Sequence, residues 1–354
     1  MKIISIIGAR PQFIKYAVLS KEIQKKHQDM LVHTGQHYDY NMNKIFFDEL
    51  EILEPAYNLG IGSGTYAYQT GEMLKSIENV LVKEKPELVI VYGDTNTTVA
   101  GALAAAQLHI TVAHVEAGLR NYDKSVPEEI NRVIADYCSD YLFCPTKTAV
   151  DNLKKESLIK GVYLTGDVMV DALYFYKEKA ERSSVLDDLK LTNKKYIVVT
   201  VHRAGNTDNV QNLENIANAL IKLAEYGETV VFPVHPRSLK ILKAIDLLKR
   251  LKEKVIITEP LGYLEFLKLL SHAGKVITDS GGIQKEAYIL KVPCITLVDF
   301  TPWVETVEDG WNILAGPDTE KVVELALHFE PQRPNSNLFG VGACKKIAKI
   351  IDKI

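Results

Sequence analysis

The sequence has little that would indicate a membrane, secreted or nucleic-acid-binding protein. Only four of its 354 residues are cysteine and none forms a C-x-x-C pair, so neither a disulfide framework nor a zinc site is indicated. No apolar run approaches the ~18–20 residues that span a bilayer, and the N-terminal apolar core is too short for a secretory signal. The formal charge of −3 argues against a surface built for nucleic acid or an anionic membrane. We therefore expect a cytoplasmic protein with reduced thiols.

Several cofactor and catalytic motifs are also missing. The loop after the first predicted strand has one glycine and a proline in place of G-x-G-x-x-G, and the chain has no Walker A motif, H-E-x-x-H or G-x-S-x-G. His33 and His37 have no third candidate ligand nearby in the sequence. A bound NAD, a P-loop ATPase, a zinc hydrolase and a serine hydrolase are therefore disfavoured, and we expect neither a cofactor nor a metal.

Short β-branched apolar runs alternate with amphipathic helical stretches, which is the pattern of a parallel α/β sheet. The predicted strands are residues 3–7, 30–33, 88–92, 110–115, 141–144 and 162–164, then 196–201, 229–234, 255–258, 276–278 and 294–298. A charged helical stretch at 174–193 separates the two series. We predict an α/β fold of two doubly wound, Rossmann-like domains, residues 1–170 and 171–337, while the helix after Leu338 could pack on either.

Polar, glycine-containing segments follow the predicted strands one after another. Seven of them carry Arg, His, Asp or Glu: residues 8–15, 34–37, 93–98, 116–120, 202–203, 235–237 and 279–282. Because open parallel sheets bind ligands at the carboxyl ends of their strands, we expect these segments to form one polar cleft between the domains.

The segment D-S-G-G-I-Q-K-E-A at 279–287 carries the strongest local signal for a ligand. A strand ends, two glycines free the backbone and a helix begins, so the helix N–H groups favour an anion. Ser280 can add a hydroxyl donor, and Glu286 could accept both hydroxyls of a ribose. The alternative is an ordinary N-cap with a glycine-permitted turn.

Acidic residues are concentrated near the strand ends of the first half: Asp94, Glu116, Glu128 and Glu129. Each has a structural alternative. Asp94 could be an N-cap, Glu116 could pair with Arg120 or Arg10, and the two others could form the acidic first turn of a helix. Carboxylates that face an anion-binding second domain suggest acid–base chemistry on a phosphorylated or nucleotide-bearing substrate.

Six motifs together resemble the non-hydrolysing UDP-N-acetylglucosamine 2-epimerases, in that family's order and over nearly the whole chain. They are G-A-R-P-Q-F-I-K (8–15), Y-G-D-T-N-T-T (92–98), H-V-E-A-G-L-R (114–120), P-E-E-I-N-R (127–132), H-R (202–203) and D-S-G-G-I-Q-K-E-A (279–287). The resemblance implies a glycosyltransferase-B-like fold with the active site in the interdomain cleft. It also implies a homodimer and a terminal helix, within 338–354, that returns to the first domain.

Carried over position by position, the resemblance implies a set of site residues. Asp94, Glu116 and Glu128 resemble the catalytic carboxylates around the sugar ring, and His202 matches the residue that supports the diphosphate. The substrate-binding matches are Arg10 and Lys15 in the first domain, Ser280, Gly281 and Gly282 at phosphate, Glu286 at ribose and Phe266 at uracil. We add Arg237, which follows a strand end and could contact a substrate carboxylate.

The implied reaction is an elimination and re-addition. C2 of a nucleotide sugar has no adjacent carbonyl, and the chain has no NAD fingerprint for transient oxidation. UDP would leave C1 while a base removes the C2 proton, giving a 2-acetamidoglucal, and UDP would re-add after protonation from the other face. The product would supply polysaccharide biosynthesis. Which carboxylate is the acid and which the base stays open.

Some stretches depart from the pattern of many family members. G-A-R-P-Q stands at 8–12 where G-T-R-P-E is common, and W-V-E stands at 303–305 where R-P-E is common. These stretches resemble the branch that acts on UDP-2,3-diacetamido-2,3-dideoxy-glucuronic acid, so both substrates are open. Gln36, His37 and His235 lie where some members bind an activating second UDP-N-acetylglucosamine, and activation is open too.

Two further functions remain as alternatives. One is a retaining glycosyltransferase of the same fold that uses a UDP-sugar donor. The other is a non-catalytic UDP-sugar sensor, although such a sensor would not need Asp94, Glu116 and Glu128.

Overall fold

The structure, a computed structural model, describes residues 1–36 and 47–354. The chain divides into two compact units, the first formed by Met1–Phe175 with Leu338–Ile354 and the second by Tyr176–Asn337. The division falls inside a helix, Val168–Ala180, at the end of the first strand series.

The first unit is built on a seven-stranded parallel sheet with the order β3-β2-β1-β4-β5-β6-β7. Its strands are β1 (Lys2–Ile7), β2 (Gln28–His33), β3 (Tyr57–Asn58), β4 (Leu88–Tyr92), β5 (Thr111–Val115), β6 (Tyr141–Cys144) and β7 (Val162–Leu164). The strand order reverses between β1 and β4, the position at which doubly wound sheets bind ligands. Both strands are rich in Ile and Val that are fully buried, as expected for strands covered on both faces.

The helices of this unit alternate with its strands. They are α1 (Arg10–Ile23), α2 (Tyr66–Glu84), α3 (Asn96–Gln107), α4 (Pro127–Tyr137), α5 (Lys147–Lys155) and α6 (Val168–Ala180). Helix α3 is built from alanine, threonine and glycine, and a Cβ atom on Gly101 would stand 3.0 Å from Val91 of β4. Small side chains therefore let α3 approach the sheet closely, beside the loop that carries Asp94.

The second unit has a six-stranded parallel sheet with the order β10-β9-β8-β11-β12-β13. Its strands are β8 (Ile197–Thr200), β9 (Val230–Pro233), β10 (Ile256–Thr258), β11 (Lys275–Thr278), β12 (Cys294–Thr296) and β13 (Asn312–Leu314). Its helices are α7 (Val185–Asp188), α8 (Ala204–Thr207), α9 (Val210–Glu225), α10 (Pro236–Ala244), α11 (Leu247–Lys254), α12 (Tyr263–Ser271), α13 (Gly281–Ile289), α14 (Val304–Glu308) and α15 (Thr319–His328).

The last helix, α16 (Ala343–Ile351), belongs to the first unit and packs against α1. The Asp171 carboxylate of α6 accepts the N–H groups of Gly342 and Cys344 at 2.7 and 2.8 Å, so it satisfies donors at the start of α16. At the other end, Lys26 pairs with Asp352 at 2.6 Å.

The predicted parallel α/β class is confirmed, and the strands predicted at 88–92, 141–144 and 162–164 are observed with those limits. Strands β3 and β13 were not predicted, because they have only two and three residues and each contains an asparagine. No helix in the described ranges is both long enough and apolar enough to cross a membrane.

Candidate functional site

Three loops of the first unit meet at Gly8, directly after β1. A Cβ atom on Gly8 would stand 2.1 Å from the Thr34 hydroxyl oxygen and 2.3 Å from that of Thr97, so a larger residue does not fit. Thr34 follows β2 and Thr97 lies in the first turn of α3, and their hydroxyls are hydrogen bonded at 2.8 Å. The carboxyl ends of β1, β2 and β4 are therefore held together at one place.

Gln12 links the loop after β1 to the end of β4. Its side-chain oxygen accepts the N–H groups of Gly8 and Ala9 at 2.7 and 2.9 Å, and its amide nitrogen donates to the Tyr92 carbonyl oxygen at 2.7 Å. The glutamine that departs from the common family motif thus uses both ends of its side chain inside the unit, and it is buried.

Asp94 lies in the loop between β4 and α3. Arg132 of α4 donates from Nη2 to Asp94 Oδ2 at 2.6 Å, and the Arg132 side chain is almost fully buried. Burial alone would raise the pKa of Asp94, but the charges of Arg132 and then Lys15 outweigh it, so this pKa is lowered. The N-cap alternative for Asp94 is wrong, because Thr95 is the N-cap of α3.

Glu116, which follows β5, forms a buried ion pair with Lys15 of α1. The Lys15 ammonium and a Glu116 carboxylate oxygen lie 3.4 and 3.6 Å from the point where a Cβ atom would stand on Gly93, so the pair lies beside Asp94. Arg120, one of the two partners expected for Glu116, instead pairs at 2.7 Å with Asp136 and Glu156. Arg10, the other, is the first residue of α1 and is half-buried.

The backbone of Glu116 adopts φ +78°, in the left-handed region that non-glycine residues rarely occupy. Its N–H and that of Ala117 both donate to the Phe143 carbonyl oxygen of β6 at 3.1 Å, which holds the conformation in place. Such strain is worth about 1–3 kcal/mol and is concentrated at functional positions.

Two neighbouring glutamates in the first turn of α4, Glu128 and Glu129, have different surroundings. Glu129 is buried and accepts the backbone N–H groups of Asn121 and Tyr122, at 3.0 and 2.9 Å, and a hydrogen bond from Arg132 Nη1 at 2.9 Å. Glu128 is half-buried, and no hydrogen bond or ion pair joins its side chain to the described ranges. Because residues four apart share a helix face, Glu128 lies on the same face as Arg132. Of the pair, Glu129 is thus bound to the loop and to Arg132, whereas Glu128 has no such partner within the described ranges.

Sequence reasoning did not select Arg132, Asn131 or His114 as site residues. Asn131 donates to the Asp94 carbonyl oxygen at 3.0 Å. His114 has its ring nitrogens 2.7 Å from Asp136 Oδ1 and from the Gly93 carbonyl oxygen, so it supports the Asp94 loop from below. All three residues lie inside the quoted motifs, but residue type alone did not distinguish them from helix and strand positions.

In the second unit Asp279, directly after β11, forms hydrogen bonds with the loop after β8. Its buried carboxylate accepts the N–H groups of His202 and Arg203, at 3.1 and 3.0 Å, and the Asn206 amide at 3.1 Å. The same carboxylate lies 3.3 Å from His202 Nδ1. Asp279 therefore fixes the place of His202 relative to the start of α13.

His202 is partly exposed, with its ring 5.8 Å from that of His235. Burial lowers the pKa of His202, Asp279 opposes this, and the nearby Arg203 and Arg237 lower it further. The net lowering favours a neutral imidazole at neutral pH, which can donate one hydrogen bond and accept another.

The start of α13 is lined with hydrogen-bond donors. Ser280 is its N-cap, as the alternative predicted, and its hydroxyl accepts the Ile283 N–H at 3.5 Å. A Cβ atom on Gly281 would stand 3.4 Å from an Arg203 guanidinium nitrogen and 3.6 Å from the Trp303 indole nitrogen. A guanidinium and an indole N–H thus lie beside a helix N-terminus, where an anion is favoured. Sequence reasoning selected neither Arg203 nor Trp303 for this role.

The other predicted binding residues have varied surroundings. Glu286 of α13 is buried, and burial raises its pKa to about 7 although Lys285 opposes the increase. Gly282 lies in the first turn of α13, where a Cβ atom would stand 3.8 Å from the Ser280 hydroxyl oxygen. Phe266 of α12 is partly buried against the core of the second unit. Arg237 donates to Asp208 at 2.6 Å.

Three further positions, Gln36, His37 and His235, were linked to a possible activating ligand. Gln36 accepts the N–H and the hydroxyl of Thr97 at 3.2 and 2.8 Å. His235 is the N-cap of α10, and His37 lies outside the described residues. Within residues 1–36 and 47–354 no group of three His, Cys, Asp or Glu side chains is placed to hold a metal ion.

The chain is similar to known proteins along its whole length. A family model described as UDP-N-acetylglucosamine 2-epimerase matches residues 21–352. A Methanococcus maripaludis protein named "UDP-N-acetylglucosamine 2-epimerase homolog" is 54% identical over 99% of both chains. A Pseudomonas aeruginosa protein named "UDP-2,3-diacetamido-2,3-dideoxy-D-glucuronate 2-epimerase" is 45% identical over 100% of both chains. The crystal structure of the Methanocaldococcus jannaschii UDP-GlcNAc 2-epimerase with UDP-GlcNAc and UDP covers 100% of both chains, with a TM-score of 0.93 and 46% identity.

Proposed function

The chain belongs to the UDP-N-acetylglucosamine 2-epimerase family, and on this basis we propose which of its residues bind the nucleotide and which transfer protons. It is an isomerase of the non-hydrolysing type that acts on a UDP-sugar. The relatives favour this function over the glycosyltransferase and sensor alternatives.

We propose that the second unit binds the UDP group. In this proposal the start of α13 binds the diphosphate of UDP. The donors there are the Ser280 hydroxyl, the α13 N–H groups, the Arg203 guanidinium and the Trp303 indole N–H. Glu286, five residues further along α13, accepts the ribose hydroxyls. A neutral His202 supports the diphosphate by donating one hydrogen bond.

We propose that the first unit performs the proton transfers at C2. A base takes the C2 proton while the C1–O bond breaks and its electron pair leaves with UDP, so that the C1–C2 double bond of a 2-acetamidoglucal forms. A proton is then delivered to the opposite face of C2 and a UDP oxygen reforms the bond to C1. The observation that carries this proposal is the pairing of Asp94 with Arg132 and of Glu116 with Lys15 at adjacent points.

These pairings support an assignment of the roles. Asp94 is held as a carboxylate by Arg132, so we propose that it enters the elimination ionised and accepts the proton. Glu128 has no such cation partner among the described residues, and we propose it as the acid on the other face. Epimerisation is reversible, so the two groups exchange roles in the return direction.

For the substrate, we propose the neutral sugar UDP-N-acetylglucosamine. A site selective for a uronate needs a cation or several N–H donors for its carboxylate, and the guanidinium of Arg237, the cation considered for this role, is paired with Asp208. The diacetamido-uronate nucleotide is the second candidate, because the Pseudomonas aeruginosa relative is named for it. Higher kcat/KM on the neutral nucleotide supports the first candidate, and higher kcat/KM on the uronate establishes the second.

We propose that the enzyme is a cytoplasmic homodimer, as the family resemblance implies. Ile130, Ile134 and Tyr137 are exposed on one face of α4, at positions i, i+4 and i+7, and a second copy is proposed to cover them. Light scattering of the purified protein should give the mass of two chains, and the mass of one chain would contradict this proposal.

The experiment that tests the function is NMR of the candidate UDP-sugars with the enzyme in D2O. Deuterium at C2 of both epimers, with free UDP only in trace amounts, is the expected result. Free N-acetylmannosamine with stoichiometric UDP would show a hydrolysing enzyme instead. No deuterium in either nucleotide would contradict the proposed function.

A further inference from the structure

Arg132 joins the two acidic residues that surround the start of α4. Its guanidinium donates from Nη2 to Asp94 at 2.6 Å and from Nη1 to Glu129 at 2.9 Å. Its third donor, Nε, is buried and contacts no acceptor in the part of the chain that the structure describes. A buried donor is normally paired. The hydrogen bonds to Asp94 and Glu129 therefore set the orientation of the guanidinium, even though this orientation leaves Nε without an acceptor.

Glu129 extends this link to the backbone. Its carboxylate accepts the N–H groups of Asn121 and Tyr122, and Tyr122 has the unusual φ of +60°. The loop that begins there leads into α4, whose first turn carries Glu128. A rigid path therefore runs from Asp94 through Arg132 and Glu129 to the loop that places Glu128.

Arg132 also dominates the charge around Asp94. Among the described residues, Lys15 from α1 and His114 from β5 also act on the charge of Asp94, and Glu116 lies beside the neighbouring Gly93. The Arg132 guanidinium contacts the Asp94 carboxylate directly, at 2.6 Å. Without Arg132, the effect of burial on the pKa of Asp94 would be opposed by the charges of Lys15 and His114.

We propose that Arg132 is a positioning residue that keeps the Asp94 carboxylate ionised and aligned and, through Glu129, holds the start of α4 in register with it. This inference rests on the proposed function, in which Asp94 accepts the C2 proton. A planar guanidinium can bridge two carboxylates, whereas a lysine ammonium at this position would satisfy one of them well.

The test compares Arg132→Gln and Arg132→Lys with Arg250→Gln, an exposed arginine of the second unit that serves as a matched control. Removing an adjacent opposite charge shifts a carboxyl pKa by about 1–3 units. The acid limb of kcat/KM should therefore move to higher pH by about 1 unit or more in Arg132→Gln. The shift should be smaller in Arg132→Lys and absent in Arg250→Gln, and UDP affinity should be unchanged in all three.

A double variant separates positioning from general damage. Because Arg132 acts in part through Asp94, Arg132→Gln should slow deuterium exchange by a smaller factor in the Asp94→Asn background than in the wild type. An unchanged acid limb in Arg132→Gln, or full additivity with Asp94→Asn, would overturn the proposal. If Arg132→Gln does not fold, Arg132→Lys decides by the same two criteria.

A ¹³C NMR titration of the Asp94 carboxyl carbon, assigned with Asp94→Asn, measures the same effect without turnover. Its pKa should be higher in the Arg132 variants than in the wild type and the control. If the wild type places no deuterium in any UDP-sugar, the proposed function fails, but this titration still decides whether Arg132 controls the charge of Asp94.

Discussion

The raised pKa of Glu286 predicts that UDP binding releases a proton and strengthens as pH increases. Burial raises this pKa from 4.5 to about 7, so near pH 6 most of the free protein carries a neutral carboxyl group. Ribose hydroxyls donate hydrogen bonds, and a carboxylate accepts them better than a carboxyl group does. If bound UDP restores the ordinary pKa, linkage predicts affinity about tenfold higher at pH 8 than at pH 6.

The assay is titration calorimetry of UDP at several pH values, in buffers with different ionisation enthalpies, on the wild type and Glu286→Gln. The terminal phosphate of UDP has its own pKa of about 6, and it affects both proteins equally. The ratio of the two affinities therefore isolates Glu286, and it should increase with pH and level off above the raised pKa. A ratio that does not change between pH 6 and pH 8 would refute the reasoning.

Four further variants test two proposed catalytic residues, one proposed phosphate ligand and one buried carboxylate. Asp94→Asn and Glu128→Gln should each slow deuterium exchange at C2 by ~10²-fold or more, with UDP affinity nearly intact, and normal exchange would remove the altered residue from the mechanism. Arg203→Ala should weaken UDP binding by about 1–3 kcal/mol in calorimetry, and unchanged affinity would exclude it from the phosphate site. Both carboxylate oxygens of Glu305 are buried and accept no hydrogen bond within the described ranges. Glu305→Gln should therefore raise the melting temperature, by about 2–4 °C per kcal/mol relieved, and a lower value would show that the charge stabilises the fold.

Much of the fold could be predicted from the sequence because most of its strands are short, continuous apolar runs rich in β-branched residues. Strand β4, L-V-I-V-Y, is buried at every residue, and its short length and β-branched residues favour a buried strand over a helix segment. Strands β3 and β13 were missed because their pairing depends on neighbouring strands rather than on their own composition. The placement of α16 on the first unit came from the family resemblance alone, since its apolar face would suit either unit.

The candidate site could be predicted as a set of loops but not as a set of contacts. Asp94 and Glu116 were selected because they follow strands, and the sheet places both at its carboxyl edge. Their cation partners, Arg132 and Lys15, are 38 and 101 residues away in the sequence. No local pattern encodes such a pairing, because it depends on how α1 and α4 pack against the sheet.

The adjacent glutamates of α4 show the same limit on a smaller scale. Glu128 and Glu129 are equivalent in composition, charge and helix propensity, so only the family motif distinguishes one from the other before the structure is known. A helix turns about 100° per residue, and this rotation directs Glu129 toward the loop N–H groups. A rotation of one residue along the helix thus separates the buried Glu129 from Glu128, the proposed acid.

Asp94 and Glu286 together show how neighbours decide the chemistry of buried carboxyl groups. Burial by itself would raise the pKa of both groups. The net effect of all neighbours is nevertheless a lowered pKa for Asp94 and a raised pKa for Glu286. Asp94 accepts a direct hydrogen bond from Arg132, and the charge of Lys15 lowers its pKa further. Lys285, adjacent to Glu286 in sequence, lowers the pKa of Glu286 by less than burial raises it. The proposed base is therefore charged before any substrate arrives, which a proton acceptor requires. The proposed ribose ligand instead becomes charged when the hydroxyl donors reach it, so part of the binding free energy is spent on its ionisation.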